Sequence, residues 1–220
     1  SGGAHLVQGA MNWWRDVSGQ PDPELQAQAA RFVVGRDVAV TPGQVVLRNR
    51  LIELIRYAPQ TQTVHPEPLL VVPSWIMKYY ILDLSPKNSL VKYLTDLGHT
   101  VFMISWKNPT AADRDLTMDD YLSLGVLAAL DAINKVVPKR KVHGVGYCIG
   151  GTLLAIAAAA MAQKEDERLA TVTMFAAQTD FSEPGELSVF ISPAQLAMLE
   201  ALMWKKGVLE SGQMGGAFQM

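Results

Sequence analysis

Residues 142–151 read Val-His-Gly-Val-Gly-Tyr-Cys-Ile-Gly-Gly, and this stretch decides the fold. An apolar run leads into Gly-x-Cys-x-Gly, and an Ala-rich helical pattern follows it. The pattern is typical of a nucleophile elbow, a tight strand-to-helix turn that here presents Cys148 in the place of serine. Gly146 and Gly150 are needed because a Cβ at either position would clash with a neighbouring strand or helix. The Ile149 amide, in the first helical turn, would then face a developing oxyanion.

Cys148 has a second interpretation as a small buried apolar residue at a tight turn. The β-type run before it and the Ala, Leu and Ile residues after it favour the strand–turn–helix setting that a nucleophile requires. The local pattern leaves both interpretations open.

The composition is that of a globular protein with a sizeable core. Of the 220 residues 49% are apolar and 18% charged, and the net charge is -2. Nothing indicates nucleic-acid binding, because no basic run or basic face with interleaved aromatic residues occurs. No apolar stretch reaches the roughly 18 residues of a membrane span. The single cysteine cannot form an internal disulfide and is typical of a reducing cytosol.

Strand and helix patterns alternate through residues 37–177, which predicts an α/β core with a mostly parallel sheet. Apolar runs at 69–72 and 100–106 predict strands, and residues 48–50 predict a hairpin turn at one edge. The remaining predicted elements are helices at 23–34, 89–97, 119–137 and 193–206 and a strand at 170–176. Thr117-x-x-Asp120 resembles a capping box, with Asp in place of Glu, at the start of the 119–137 helix.

The regions on either side of this core have a different character. Residues 1–36 are predicted to be the remnant of an N-terminal region, in which Trp13 and Trp14 indicate contact with a segment outside the chain. Residues 178–220 combine a polar loop with an apolar, Leu- and Met-rich helix. This combination predicts the start of a lid or cap, or an interface.

The loop at residues 73–80 follows the strand at 69–72, and such loops carry the site in open α/β sheets. In proteins with a nucleophile elbow this loop supplies the second backbone donor of the oxyanion hole. Trp75 and Ile76 are the candidates for that donor. The alternative is an aromatic connector that only packs on the core.

A cysteine nucleophile needs a base, and the base needs an orienting group. His5 lies in the N-terminal region, His65 lies in a loop, and His99 and His143 lie at the strand ends away from the elbow. We interpret all four as surface or core residues. No histidine follows Cys148, although elbow folds place the nucleophile, acid and histidine in that chain order.

Asp180 follows the strand after the elbow, where a triad acid is conceivable. Its other interpretation is a turn cap within Thr-Asp-Phe-Ser at residues 179–182. The histidines and the cysteine lack metal-ligand spacing, and no phosphate-binding loop is present in the sequence. We therefore predict no metal and no cofactor.

Taken together, the motifs resemble the polyhydroxyalkanoate synthases, especially those of class I. The similarity runs from about residue 31 to the end, and its motifs fall in family order. They are Gly-Arg at 35–36, Thr-Pro-Gly at 41–43, Tyr-Ala-Pro at 57–59, Tyr-Tyr-Ile-Leu-Asp-Leu at 79–84 with Pro86, the segment from His99 to Trp106, Asn-Pro at 108–109, the cysteine box at 146–151, Asp-Phe at 180–181 and Pro-Gly at 184–185.

This resemblance implies an incomplete α/β-hydrolase core with the start of a helical lid or cap. It further implies polymerisation of (R)-3-hydroxyacyl-CoA, in which Cys148 attacks the thioester, carries the growing chain and releases coenzyme A. No cofactor is implied, since the substrate is itself an acyl-CoA thioester. The resemblance also implies a homodimer on polyester granules in the bacterial cytoplasm.

The sequence departs from the family pattern in two respects. The family's catalytic Asp and His lie downstream of residue 220, so we expect an internal piece that needs the rest of the synthase chain and is nearly inactive alone. Met77 stands where the family commonly has Asn, and its side chain cannot donate a hydrogen bond. Two other hypotheses are a cysteine-type esterase or depolymerase, and a non-catalytic fragment that binds a partner or granule through its apolar helix and Trp pair.

Overall fold

A six-stranded sheet forms the centre of the computed structural model, which describes residues 3–18, 27–185, 188 and 192–209. The six strands are β1 (Gly43–Arg48), β2 (Ile52–Tyr57), β3 (Leu69–Val72), β6 (Val101–Trp106), β7 (Val142–Tyr147) and β8 (Leu169–Phe175). Their order across the sheet is β1-β2-β6-β3-β7-β8. Two further short strands, β4 (Asp83–Ser85) and β5 (Asn88–Ser89), form a separate hairpin.

Helices connect and flank these strands. The helix before β7 consists of three consecutive segments, Met118–Asp120, Tyr121–Leu127 and Ala128–Val136, which we call α3 together. The other helices are α1 (Ala4–Ser18), α2 (Leu90–Asp96), α4 (Ile149–Gln163) and α5 (Pro193–Lys206). Short 3-10 turns occupy Tyr79–Leu82 and Ala111–Asp113.

The mostly parallel sheet predicted from the sequence is confirmed. Strands β6, β3, β7 and β8 run parallel to one another, whereas β2 runs antiparallel to both β1 and β6. The β1–β2 pair is the predicted edge hairpin, and Asn49 closes it by accepting hydrogen bonds from the Leu51 and Ile52 amides. The carboxyl ends of β3, β6 and β7 therefore meet at one edge of the sheet.

The two faces of the sheet are covered by different helices. Along β6, Phe102 and Ile104 face a large core beneath α3 and α4, while Met103 faces a smaller core beside α2. This alternation follows from the two-residue period of a strand. All four residues of β3 are buried, as expected for a central parallel strand covered on both faces.

α3 begins as predicted but is not α-helical throughout. Thr117 and Asp120 form the expected capping box, each side chain bonding the other residue's backbone N–H. The segment Tyr121–Leu127 is π-helical, a form in which the backbone bonds span five residues. Gly125 lies in this turn, and its missing side chain lets the Trp106 ring approach the helix backbone.

The predicted helix at residues 23–34 is only partly open to comparison, because residues 19–26 lie outside the described ranges. Helical backbone occupies residues 27–29, but the helix does not reach Val34, which forms an isolated bridge with Val38. The predicted helix at 193–206 is confirmed as α5. Residues 210–220 also lie outside the described ranges, and the two predicted domain boundaries, at residues 36/37 and 177/178, stay predictions.

α1 is amphipathic and exposes its apolar side chains. Trp13 and Trp14 are 63% and 65% exposed. No helix in the described parts of the chain is both long enough and apolar enough to cross a bilayer.

Candidate active site

Cys148 lies in the tight turn between β7 and α4, at the position that the elbow pattern predicts. Its backbone angles are φ 54° and ψ -133°, outside the conformations that L-residues ordinarily adopt. Its own N–H donates to the Phe175 carbonyl at 2.9 Å, and its carbonyl accepts from Gly151 N at 2.8 Å. Bonds on both sides therefore hold the strained residue in place.

The glycines around Cys148 allow the backbone segments to approach closely. A Cβ at Gly146 would lie 2.3 Å from the Gly151 Cα, and a Cβ at Gly150 would lie 2.3 Å from the Val72 carbonyl oxygen. Both distances are far inside van der Waals contact. The predicted clash is confirmed at both positions, and the strand–turn–helix geometry depends on residues without side chains.

The Cys148 thiol is free and half-buried rather than enclosed in the core. It therefore differs from the buried apolar residue of the alternative interpretation. The Ile149 amide is in the first turn of α4 and donates no hydrogen bond to any described residue. A free amide next to a half-buried cysteine is compatible with an oxyanion site.

The loop after β3 lies against this turn. Val72 pairs with Gly146 across the sheet, so the chain leaves β3 level with the end of β7. The Ile76 amide donates to Ser74 Oγ at 3.3 Å, whereas the Trp75 amide has no hydrogen-bond partner among the described residues. Of the two predicted donors, Trp75 thus has its amide available in this structure and Ile76 has its amide engaged.

Met77 follows in the same loop. Its side chain is exposed, and its amide lies 3.4 Å from the Ser74 carbonyl as part of the turn. The turn uses only the backbone at this position, so a methionine side chain is compatible with it.

His99 and His143 lie at the opposite, amino edge of the sheet, as predicted, and the loop residue His65 lies beside them. The His65 and His99 rings stack with centroids 4.6 Å apart, and His143 Nδ1 lies 2.8 Å from Thr171 Oγ1. His143 is five residues before Cys148 along β7, a separation of about 16 Å at the strand rise. Neither His99 nor His143 is positioned to take a proton from the thiol.

His99 is in an unusual environment within this group. Its Nδ1 is buried and has no hydrogen-bond partner within the described ranges. Burial lowers the pKa of His99, and the neighbouring His65 and His143 lower it further. His5 lies on the exposed α1 helix.

Asp180 has the geometry of a turn cap. Its Oδ1 accepts from the Ser182 amide at 2.9 Å, and this bond lowers the pKa of the exposed carboxyl group. Nearby, Thr152 Oγ1 donates to the Gln178 carbonyl at 2.7 Å and joins the segment after β8 to the first turn of α4. The described residues contain no group of three His, Cys, Asp or Glu side chains that could hold a metal ion.

Two open cavities adjoin the carboxyl end of β6. One, of about 340 Å³, lies between the Lys78–Tyr79 region and Asn108, and the other, of about 300 Å³, lies beside Arg48. Ser105 and Trp106 line both, but Cys148 lines neither.

Sequence analysis missed an aromatic cluster behind the loop after β3. Trp75 packs on Tyr121 and Trp106 with ring centroids 5.0 Å and 6.2 Å away. Burial raises the pKa of Tyr121, and the nearby Asp113 raises it further, so the phenol stays protonated. In the sequence, this cluster could have been inferred from Trp106, at the end of a predicted central strand, together with Gly125, inside a predicted helix.

The fold and the elbow together define the class of protein. The family model described as the alpha/beta hydrolase fold matches residues 67–217, so the chain belongs to that family. A crystal structure from Sulfolobus solfataricus superposes with a TM-score of 0.51 at 11% identity, covering 75% of this chain and 55% of the other. This superposition supports the fold alone.

Sequence relatives then confirm the predicted similarity to polyhydroxyalkanoate synthases. The model of the poly-beta-hydroxybutyrate polymerase (PhaC) N-terminus matches residues 1–94. The poly(3-hydroxyalkanoate) polymerase of Methylorubrum extorquens is 42% identical over 100% of this chain and 36% of its own length. The polymerase subunit PhaC of Cupriavidus necator is 38% identical over 92% of this chain and 34% of its own length. The chain therefore spans about a third of the length of these relatives.

Proposed function

We propose that this chain carries the nucleophile of an enzyme that polymerises (R)-3-hydroxyacyl-CoA into polyester. The observation that carries the proposal is the strained, half-exposed Cys148 between two crowded glycines, beside the unpaired Ile149 amide. The curated relatives, named as poly(3-hydroxyalkanoate) polymerases, supply the reaction class.

In the first chemical step, the Cys148 sulfur forms a bond to the thioester carbonyl carbon. The bond between that carbon and the coenzyme A sulfur breaks, and the proton lost by Cys148 leaves on the coenzyme A thiol through a base. The Ile149 and Trp75 amides, which have no hydrogen-bond partner among the described residues, are proposed to hold the negative charge on the carbonyl oxygen during the transfer.

In the second step, the hydroxyl group of another acyl unit attacks the carbonyl carbon bound to Cys148. An ester C–O bond forms, the carbon–sulfur bond to Cys148 breaks, and the hydroxyl proton returns to the thiol. The same acyl-enzyme would yield a free hydroxy acid if water attacked instead, so excluding water decides between polymerase and esterase.

The base is proposed to come from outside these 220 residues. No histidine follows Cys148, and His99 and His143 lie at the far edge of the sheet. We accordingly propose that the isolated chain is nearly inactive, that the whole protein needs no cofactor, and that it acts as a homodimer on granules in the cytoplasm.

The test uses the complete encoded protein with (R)-3-hydroxybutyryl-CoA and longer acyl homologues. Coenzyme A release is followed with a thiol reagent, solvent-extracted polymer is weighed, and the acyl adduct on Cys148 is sought by mass spectrometry. Cys148→Ala is expected to reduce release by about 10³-fold or more, since removal of a nucleophile removes the covalent route. Ser123→Ala, which removes an exposed hydroxyl group on α3, is the matched control.

Each outcome supports a different interpretation. Undiminished release by Cys148→Ala would refute the covalent mechanism. Release accompanied by free hydroxy acid and no polymer would identify the esterase alternative. If the intact protein releases no coenzyme A from any acyl homologue, the non-catalytic binding fragment becomes the better description.

A further inference from the structure

Trp106 ends β6 and places its indole behind the loop that follows β3. Its Nε1–H donates a 2.8 Å hydrogen bond to the Pro73 carbonyl, and the residue is only 9% exposed. Because the bond is buried, water cannot readily replace either partner, and losing it would leave the carbonyl unpaired. The bond therefore fixes the direction of the peptide between Pro73 and Ser74.

The same indole contacts the loop a second time, on the other side of Ser74. The Trp75 ring meets the Trp106 ring edge-on, with an interplanar angle of 75°. Trp106 thus holds the Pro73 carbonyl through a hydrogen bond and the Trp75 side chain through ring packing. The unpaired Trp75 amide lies between these two fixed points.

The Trp106 ring is itself confined by the π-helical turn of α3. A Cβ added at Gly125 would lie 2.5 Å from Trp106 Cη2 and 2.8 Å from its Cζ3, so the ring fills the space where a side chain would stand. Asn49 Nδ2 donates to the Leu124 carbonyl at 2.7 Å and ties this turn to the edge hairpin. π-helical turns are rare and occur frequently at functional sites.

The Pro73 carbonyl also contacts the nucleophile elbow. A Cβ at Gly150 would lie 2.5 Å from the Pro73 oxygen, so this carbonyl packs directly on the first turn of α4. A displacement of Pro73 would therefore change the distance between the loop after β3 and the Ile149 amide. A misplacement of about 1 Å in such a site can lower a rate by roughly 10²-fold.

We infer that Trp106 is a positioning residue for the chemistry of Cys148. Its indole N–H sets the Trp75 amide at the distance and angle at which it forms an oxyanion-binding pair with the Ile149 amide. Trp106 touches neither the thiol nor the substrate in this assignment. The inference rests on the function proposed above.

The first variant replaces only the indole N–H. In the complete encoded protein, Trp106 is exchanged for 3-benzothienylalanine, which keeps the ring shape but has sulfur in place of N–H, and in a second variant for Phe. We expect the kcat of coenzyme A release to fall about tenfold and KM to change less than about twofold, because oxyanion contacts strengthen only in the transition state. Tyr57→Phe is the matched control, since it removes a buried hydroxyl group on the opposite face of the sheet.

A purely structural role for Trp106 gives a different result. The unfolding temperature would then fall while the kcat per folded molecule stayed within twofold of the parent value, and the inference would be wrong. Gly125→Ala, which displaces the ring but keeps its N–H, is expected to lower kcat in the same way. Failure of the proposed function gives a different result: the Cys148→Ala protein would still release coenzyme A, independently of the results for the Trp106 variants.

Discussion

A cysteine lies at the carboxyl edge of the sheet and histidines lie at the amino edge, so the thiol and imidazole groups that nucleophilic catalysis combines are far apart in this chain. At the carboxyl edge, Cys148 is strained and half-buried, and the neighbouring Ile149 amide has no hydrogen-bond partner among the described residues. At the amino edge, His65 and His99 stack on each other, and His143 bonds Thr171. No imidazole in the described chain faces the thiol.

Cys148 differs from the histidines in backbone geometry as well as in residue type. Cys148 is held in a conformation that costs about 1–3 kcal/mol, and the surrounding structure maintains it through close glycine contacts. His65 Nε2 lies 3.2 Å from the Leu97 carbonyl and His143 Nδ1 contacts Thr171 Oγ1, whereas His99 Nδ1 has no hydrogen-bond partner among the described residues. Cys148 has a positive φ, whereas His65, His99 and His143 do not, so under the function proposed above the strained residue is the one expected to react.

Among changes that keep Cys148 itself, the largest expected effect comes from filling the space between Gly150 and the loop after β3. Gly150→Ala places a methyl group 2.3 Å from the Val72 carbonyl oxygen, so the elbow must move. We expect the free energy of unfolding to fall by about 3 kcal/mol and the rate of coenzyme A release to fall by roughly 10²-fold. Chemical denaturation and the thiol assay on the complete encoded protein measure the two quantities.

Gly9→Ala is the matched control for this change. Gly9 lies in α1, and a Cβ there would meet nothing within 4 Å. It should leave the rate unchanged. A Gly150→Ala protein with the parent rate would mean that the crowded turn does not set the position of the thiol, and the comparison of the two edges would lose its basis.

A smaller effect is expected when the amino edge is altered. His143→Gln removes the imidazole that contacts Thr171 Oγ1, and we expect a loss of about 1 kcal/mol of stability. The kcat should stay within about twofold of the parent value, because roughly 16 Å of strand separates His143 from the thiol. A tenfold fall in kcat at unchanged stability would show that the two edges are functionally coupled.

Much of the fold could be predicted because its signals are local. The apolar run at Leu69–Val72 and the Gly-x-Cys-x-Gly pattern each specify an element and its surroundings within a few residues. The Asn49 turn and the Thr117–Asp120 capping box are equally local, and both formed as predicted. The separation of His143 from Cys148 followed from counting residues along one strand.

The features that escaped prediction depend on contacts between distant segments. The π-helical turn at Tyr121–Leu127 forms where Gly125 packs against Trp106, and the identity of neither residue predicts that contact. The choice between the Trp75 and Ile76 amides likewise required the position of the Ser74 hydroxyl group. Hydrogen bonds across a loop are set by its folded path, which a pattern of residue types does not contain.

The smallest expected effect concerns the pH dependence of stability at the amino edge. The pKa of His99 is lowered in the folded protein, so the unfolded chain takes up a proton first as the pH falls below about 6.5. The stabilising contribution of neutral His99 is complete above that pH and is lost as the pH falls through the lower, folded-state pKa. The unfolding temperature of the parent protein should therefore decrease on acidification from about pH 7.5 to 5.5.

His99→Gln should make this decrease shallower, because an amide does not titrate. His5→Gln removes an imidazole from the exposed α1 helix, outside the stacked group, and serves as the control. Cysteine acylation should follow a different pH profile from this unfolding transition, since the thiol lies at the other edge of the sheet. If His99→Gln shifted the pH dependence of acylation without altering the unfolding curve, the amino edge would have to be assigned a part in the chemistry.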